Sequence, residues 1–461
     1  MGIEVFRRLT RLGKRAGDVS AVVGSTVTET LGVKAALGVP IGIDFGVGSL
    51  KILQIGGTDT LSLVAAASLE TPPELISDHA QRLQFQIEAL PRLIRKGGFR
   101  GRRASCAIPG WQTMCRQFQF PKTDGIPVSD LVAGALSQQL NVPADALAFR
   151  HIEVRSPQLA SNRAEVICIA TARDLVERLM RALQDSKLQP VGIHSEFSAI
   201  LRAFDYVNRR ADDGDRATLY LDIGAGVTKA LIGHGRDLVF ARVIDFGGRR
   251  MDEHIARQLK VEMDDAHEQR IALDEQMSLA HVNGAVAAKA AASAASAPGA
   301  AASEPAKSAT VRAKIGHDGQ KIDESDEETL VAEMEERRTG MPHPHFSEDM
   351  RISDSKEFVP PKADLTEMLE VFTDELQMCL RHYATQYPGK RVERAVFVGG
   401  EARGRGLCAH IARALKIPAQ MADPMARVGR NGQEPVLGVD LRLAQPGWAL
   451  ALGLCLSPTD L

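Results

Sequence analysis

The sequence predicts an α/β protein built from two duplicated domains that face each other across a ligand cleft. Two observations carry that prediction. Apolar strand-like runs alternate with amphipathic helical segments along most of the 461 residues, the pattern of sheets covered by helices. Residues 44–59, DFGVGSLKILQIGGTD, also return as residues 222–237, DIGAGVTKALIGHGRD, at a constant offset of 178 with seven of sixteen positions identical. A period that long indicates duplicated domains, because solenoid repeats run about 20–50 residues.

Residues 1–39 are a basic leading segment. Val5, Phe6, Leu9 and Leu12 fall near helical spacing among Arg7, Arg8, Arg11, Lys14 and Arg15, a short amphipathic helix suited to a membrane surface, although the plainer reading is a solvated terminus. Regular structure begins at Pro40, where IGIDF, LKILQI and LSLVAAASL read as an antiparallel meander. A helix follows from about Asp78 to Lys96. RRASCAIPG and TMCRQFQFP read as two strands around a Pro-Gly turn, VSDLVAGALSQQL as a helix, AEVICIAT as a buried strand and RDLVERLMRALQDSK as a helix. After residue 284 the composition shifts: thirteen of the twenty-two residues from Ala285 to Ala306 are Ala, and residues 323–337 hold eight acids against one Arg. Neither stretch offers a varied apolar face, so residues 285–358 read as a mobile insertion, with a long helix near 363–386 and the strand AVFVGG beyond it.

Composition removes several function classes. Lys and Arg number 56 against 58 Asp and Glu, a net charge of −2, so no global charge points to nucleic acid or membrane. Cys106, Cys115, Cys168, Cys379, Cys408 and Cys455 are scattered without a CxxC pair and read as core thiols of a reducing cytosol. No apolar window reaches the ~18 residues of a membrane span, and Asp18, Thr26, Thr28, Glu29 and Lys34 break up any signal-peptide core. A cytoplasmic protein is expected. The His-Pro-His at 343–345 lacks a nearby third ligand, and RGRR at 100–103 is too short for a nucleic-acid surface.

The repeat carries the chemistry. Each copy is an apolar strand ending in Asp, a Gly-rich turn and a second apolar strand, and glycine lets such a turn bring backbone N–H groups close to an anion. An Asp beside that turn would repel bare phosphate. A divalent cation between the two anions removes the conflict, since Mg²⁺ typically keeps waters while bridging carboxylates and phosphate oxygens. Two such hairpins from two domains would clamp a Mg-nucleotide. GxxxxGK[ST] is absent from the chain, so the usual P-loop offers no competing explanation.

The two hairpins and VFVGGEARGRGL at 396–407 resemble the phosphate-1, phosphate-2 and adenosine motifs of the actin-like ATPase superfamily. Within it the chain is most similar to the PilM family of type IV pilus assembly, and less so to FtsA of cell division. The likeness spans residues 40–270 and 363–456, through IGIDFGVGSLKILQI, RRASCAIPG, CRQFQFP, SEFSAILRAF, FGGRRMDEHIARQL and WALALGLCL. It implies RNase H-like halves around a nucleotide cleft: half I at 40–78 and 156–215, an inserted 1C-type subdomain at 79–155, and half II at 216–456. It also implies ATP and Mg²⁺ as cofactors. Asp44 and Asp222 would face the Mg²⁺ through water; Gly46, Gly48, Ser49, Gly224, Gly226 and Thr228 would line the phosphates; Lys51 would neutralise them. Gly399 and Gly400 would let the backbone approach sugar and base, with Arg403 beside the adenine, and Glu196 holds the position that orients an attacking water.

Two departures matter. Gly224-Ala225-Gly226-Val227 lacks a hydroxyl found in many relatives, and Glu401 replaces a small residue and adds a carboxylate. Binding is therefore better supported than hydrolysis, and Glu196 could equally be a solvent-facing helix acid. The resemblance further implies a partner, the cytoplasmic N-terminal tail of a bitopic inner-membrane protein (PilN-like), with strands 103–108 and 114–120 as the region to inspect. The expected function is an ATP-binding scaffold of a type IV pilus or type II secretion-like platform, peripheral to the inner membrane, that couples nucleotide state to that tail. Self-association stays open. The rival readings are an FtsA-like membrane-associated polymer and a sugar- or acetate-kinase-like phosphotransferase.

Overall fold

The computed structural model describes residues 39–57, 60–121, 125–154, 163–207, 216–295 and 363–459, with the backbone alone over 280–295. In chain order these residues form β1 (Ile41–Phe45), β2 (Ser49–Gly56), β3 (Ser62–Glu70), α1 (His79–Lys96), β4 (Arg103–Ile108) and β5 (Met114–Pro121). Next come α2 (Val128–Leu140), β6 (Leu147–Val154), β7 (Arg163–Ala172), α3 (Arg173–Asp185), β8 (Gln189–Ser195) and α4 (Glu196–Ala203). The second half adds β9 (Ala217–Ile223), β10 (Thr228–His234), β11 (Asp237–Ile244), α5 (Gly248–Leu259) and α6 (Met263–Ala295). The chain ends with α7 (Thr366–Gln386), β12 (Val392–Val398), α8 (Arg405–Leu415), β13 (Ala419–Met421), β14 (Val436–Leu437) and α9 (Ala449–Cys455).

The duplication is visible strand for strand. One sheet runs β14-β3-β2-β1-β4-β8 and another β11-β10-β9-β12-β13. In each, the first three strands of the half are an antiparallel meander, and two later strands add in parallel beside the first. β1 and β9 are buried along their whole length, which is why both read as unbroken apolar runs rather than alternating ones. Register matches too: Asp44 pairs with Lys51 across β1 and β2, and Asp222 with Lys229 across β9 and β10.

Two expected boundaries are corrected. β4, placed by sequence in the inserted subdomain at 79–155, pairs with β1 in the first sheet, and α1 packs against that sheet through Leu83, Leu90 and Leu93. The strands at 103–108 and 114–120 both form but lie in different sheets. The separate layer is the antiparallel sheet β5-β7-β6, which α2 covers with Val132 and Leu136 against Val166 and Cys168. The end of the chain, placed by sequence in half II, returns to the first half: β14 pairs with β3, and Cys455 Sγ in α9 donates to the Leu53 carbonyl at 3.2 Å.

Every residue of α9 is buried, so it is apolar all round. Glycine sets its depth. A Cβ on Gly42 would lie 2.5 Å from the Ala451 carbonyl oxygen, and one on Gly453 only 1.8 Å from that of Ala199 in α4. Gly453→Ala is therefore expected to part α9 from α4 at a cost of about 3 kcal/mol, the upper range for overpacking. Thermal denaturation checks this, and an unchanged midpoint would refute it.

α6 extends past the expected boundary at 285 to Ala295, because alanine has the best intrinsic helix propensity. The rest of the 285–358 segment, the His-Pro-His at 343–345 and the basic helix at the start lie outside the described residues. Among the described residues no helix is long and apolar enough to cross a membrane.

Candidate functional site

The duplicated hairpins meet turn to turn. A Cβ on Gly48 would touch the Ala225 side chain at 3.5 Å, and one on Gly226 would press on Val47 at 2.8 Å. Neighbouring groups tie down both turns. Gln86 on α1 donates to the Gly46 carbonyl at 2.7 Å, and the Thr71 N–H to that of Gly48 at 3.0 Å. On the other side the N–H groups of Gly248 and Arg249, at the start of α5, donate to the carbonyls of Gly224 (3.2 Å) and Ala225 (2.9 Å). Ser49 stands partly exposed at the start of β2. Thr228 does not present its hydroxyl as expected: it is fully buried and donates to the Phe246 carbonyl at 2.8 Å.

Five charges converge at the root of the turns. Lys51 Nζ is 3.9 Å from Asp44 Oδ2, whereas Lys229 Nζ is 2.6 Å from both Asp222 Oδ2 and Glu196 Oε2. Glu196 is the first residue of α4, whose N-terminus is capped by Ser195. It is buried rather than solvent-facing, and its Oε1 accepts from the Gly110 N–H at 2.9 Å. Burial pushes the Asp44 carboxyl up to about 6; Glu196 and Asp222 add to that rise while Lys51 and Lys229 oppose it. Lys229 is the reverse case. Burial alone would favour the neutral amine, but Asp222 and Glu196 raise its affinity for the proton above the ordinary lysine value.

Gly399, at φ 92°, follows β12 and abuts the same cluster: a Cβ there would sit 2.5 Å from Asp222 Oδ1 and 2.3 Å from the Ile223 carbonyl oxygen. Gly400 faces open space and lines a cavity of about 730 Å³ with Glu401, Arg403, Arg270, His267 and Leu369. Arg403 donates to Gln445 Oε1 at 2.7 Å. The additional carboxylate of Glu401 is neutralised: Arg270 on α6 donates to Glu401 Oε2 at 2.5 Å and to Asp252 Oδ1 at 2.6 Å. The later glycines of GGEARGRG serve packing instead, since a Cβ on Gly406 would lie 2.3 Å from the Asp274 carbonyl oxygen of α6. Asp274 in turn caps α8 by accepting from the Gly406 (3.2 Å) and Leu407 (2.7 Å) N–H groups.

The structure thus brings Asp44, Lys51, Glu196 and Asp222 together and places Gly399 against them. Sequence reasoning assigned no role to Lys229, Gly110 or Arg270. For Lys229 a signal existed, because it occupies the repeat position of Lys51. Arg270 had none, because its two partners lie on α5 and in the loop after β12.

The family model for type IV pilus assembly protein PilM matches residues 42–278, and that for cell division protein FtsA matches residues 219–453. No curated protein matches the chain. Among solved structures, a PilM-PilN type IV pilus biogenesis complex is 18% identical, with 92% of this chain and 100% of that one covered and a TM-score of 0.59. The ethanolamine utilization protein EutJ from Carboxydothermus hydrogenoformans is 12% identical over 91% of this chain and 89% of that one, with a TM-score of 0.40. MreB5 of Spiroplasma citri bound to ADP is 11% identical over 90% and 94%, with a TM-score of 0.38. The fold is that of the actin-like ATPases.

Proposed function

Because the chain belongs to the PilM family of type IV pilus assembly proteins, we propose that its cleft binds ATP and that nucleotide occupancy sets its grip on the cytoplasmic tail of a PilN-like inner-membrane protein. The observation that carries this is the pair of Asp–glycine–Lys hairpins meeting turn to turn, with Gly399 pressed against Asp222. Their glycines, Gly46 and Gly48 against Gly224 and Gly226, leave backbone N–H groups room to approach phosphate oxygens. The cavity beside Gly400 has the size of a small-ligand site and would take the nucleoside.

The residues fit a magnesium nucleotide. Asp44 is a buried carboxylate whose cation is 3.9 Å away, so a second positive charge there is favourable. Mg²⁺, when bound, supplies positive charge between phosphate oxygens and the carboxylates. Asp44 and Asp222 would hold it through water, Lys51 would offset phosphate charge, and Glu196, already hydrogen-bonded to Gly110, would face the terminal phosphate. With both of its oxygens engaged, Glu196 is poorly placed to take a proton, which favours binding with slow hydrolysis over turnover.

The inserted sheet supplies a route for coupling. It is joined covalently to the first half but leans on the second: Cys115 Sγ donates to the Ala241 carbonyl at 3.3 Å, His382 Nε2 lies 2.7 Å from Gln117 Oε1, and Gln386 donates to Glu165. A change in cleft angle must therefore strain or reseat this layer, a two-state linkage of the kind that coupled sites need. The similar fold of a PilM-PilN complex supports a PilN-like partner.

Calorimetry tests the reading. Mg-ATP is expected to bind the wild type at micromolar concentration, and Asp44→Ala and Asp222→Ala are each expected to lose the Mg²⁺-dependent part of that binding while staying folded. A peptide of the partner's cytoplasmic tail is expected to bind with different affinity with and without nucleotide. A folded wild type that binds no nucleotide would make the cleft a nucleotide-independent scaffold and refute the proposal.

A further inference from the structure

At Asp222 the chain itself already supplies one cation. Lys229 Nζ lies 2.6 Å from Asp222 Oδ2 and 2.6 Å from Glu196 Oε2, with its side chain only 10% exposed. Asp222 and Lys229 belong to the second half and Glu196 to the first, so a single ammonium joins both walls at the floor of the cleft. Gly110 makes room for it. A Cβ there would lie 3.4 Å from Lys229 Cδ and 2.5 Å from Glu196 Oε2, so a larger residue would drive the pair apart.

The two hairpins are alike in sequence and register but unlike in charge balance. Lys51, the counterpart of Lys229, stands 3.9 Å from Asp44 and is more exposed, at 18%. Asp222 has an ammonium in direct contact, shared with Glu196, and Asp44 does not. Three carboxylates (Asp44, Glu196, Asp222) against two ammonium groups (Lys51, Lys229) leave the cluster at −1, where it would be −2 without Lys229. The penalty for bringing a polyphosphate to this floor is correspondingly smaller, since unscreened like charges at such distances interact strongly.

From this geometry we infer that Lys229 is a built-in counter-ion that takes over part of the divalent cation's work, so that the cleft holds a nucleoside polyphosphate with only weak dependence on Mg²⁺. The inference rests on the nucleotide-binding reading above. It gives Lys229 a positioning role as well: it keeps Asp222 and Glu196 at a fixed separation whether or not a metal is present.

The test is ADP binding to the full chain by calorimetry, in excess EDTA and in millimolar Mg²⁺. The wild type is expected to bind in EDTA within about tenfold of its Mg²⁺ affinity, roughly 1.4 kcal/mol. Lys229→Gln is expected to lose more than tenfold in EDTA and to recover with Mg²⁺. Should Lys229→Gln fail to fold, because it leaves two buried carboxylates facing each other, Lys229→Gln/Glu196→Gln restores the cluster to −1 and must bind in EDTA within about tenfold of the wild type. Wild-type binding that vanishes in EDTA, Lys229→Gln that binds in EDTA as well as the wild type, or a double variant that does not, overturns the inference and leaves nucleotide binding intact. No binding by folded wild type in either buffer overturns both.

Discussion

Asp44→Asn is expected to make the nucleotide-free protein more stable at neutral pH and to abolish its Mg²⁺-dependent hold on nucleotide. Burial raises the Asp44 carboxyl from 3.8 to about 6, so folding takes up a proton between those two values. Stability is therefore highest below pH 4 as far as this group is concerned, and falls as the pH rises through 6. A shift of about two pH units corresponds to about 3 kcal/mol, felt in full above pH 6. Asparagine keeps the shape and removes the charge, so the variant should unfold at higher temperature than the wild type at pH 8, with the difference shrinking towards pH 4. Paired thermal melts across that range check it. A variant less stable than the wild type at pH 8 would mean that the pair with Lys51 outweighs the desolvation of Asp44.

The same shift makes a second reading available in the wild type. A cation beside Asp44 favours the ionised form, so binding of Mg-nucleotide near pH 6 should release a proton. Calorimetry in two buffers of different ionisation enthalpy detects that release. On the proposed reading, the nucleotide-free cleft carries a buried charge that bound Mg-nucleotide would relieve, the pattern of a functional carboxylate.

Much of this arrangement is legible in the sequence because it rests on local pattern. The duplication, the two Asp-bearing hairpins and the helices at 78–96 and 173–187 follow from apolar runs, glycine turns and helical periodicity that lie close together in the chain. What sequence misses is set by contacts between distant segments. RRASCAIPG and TMCRQFQFP read as neighbours, yet the turn at Gly110–Gln112 delivers one strand to the first sheet and the other to the inserted layer. Nothing local tells α9 to return to β1, since any fully apolar helix would read the same until Gly42 and Gly453 reveal how closely it must pack. Thr228 illustrates the converse. Its residue type suits a phosphate turn, but its hydroxyl donates its hydrogen bond to the Phe246 carbonyl eighteen residues on.

Glu401 extends that lesson to the nucleoside side and leads to the other large effect. Read from sequence, it places a carboxylate where an anionic ligand must enter. In the folded chain Arg270 binds Glu401 and Asp252 at 2.5 and 2.6 Å while its own side chain is 12% exposed. Both carboxylates hold the guanidinium proton more tightly than usual, against the opposing effect of burial. Arg270→Ala removes the guanidinium that bridges two largely buried acids, leaving Asp252 with His267 Nδ1 at 3.2 Å and Glu401 without its cation, and breaking such a pair typically costs about 3–5 kcal/mol. It should also loosen α6 from the loop after β12, where the Asp274 cap of α8 still holds it, and leave Glu401 as an uncompensated carboxylate at the cavity beside Gly400. We therefore expect Arg270→Ala to lower the melting temperature sharply and to weaken nucleotide binding more than tenfold. Arg270→Ala/Glu401→Gln should regain part of both, because it deletes one of the stranded charges. Glu401→Gln alone should cost far less than Arg270→Ala, since Arg270 keeps Asp252. If the double variant were no better than Arg270→Ala, the guanidinium would matter through its packing against α5 and α6 rather than through charge, and Glu401 would be a bystander at the cavity wall.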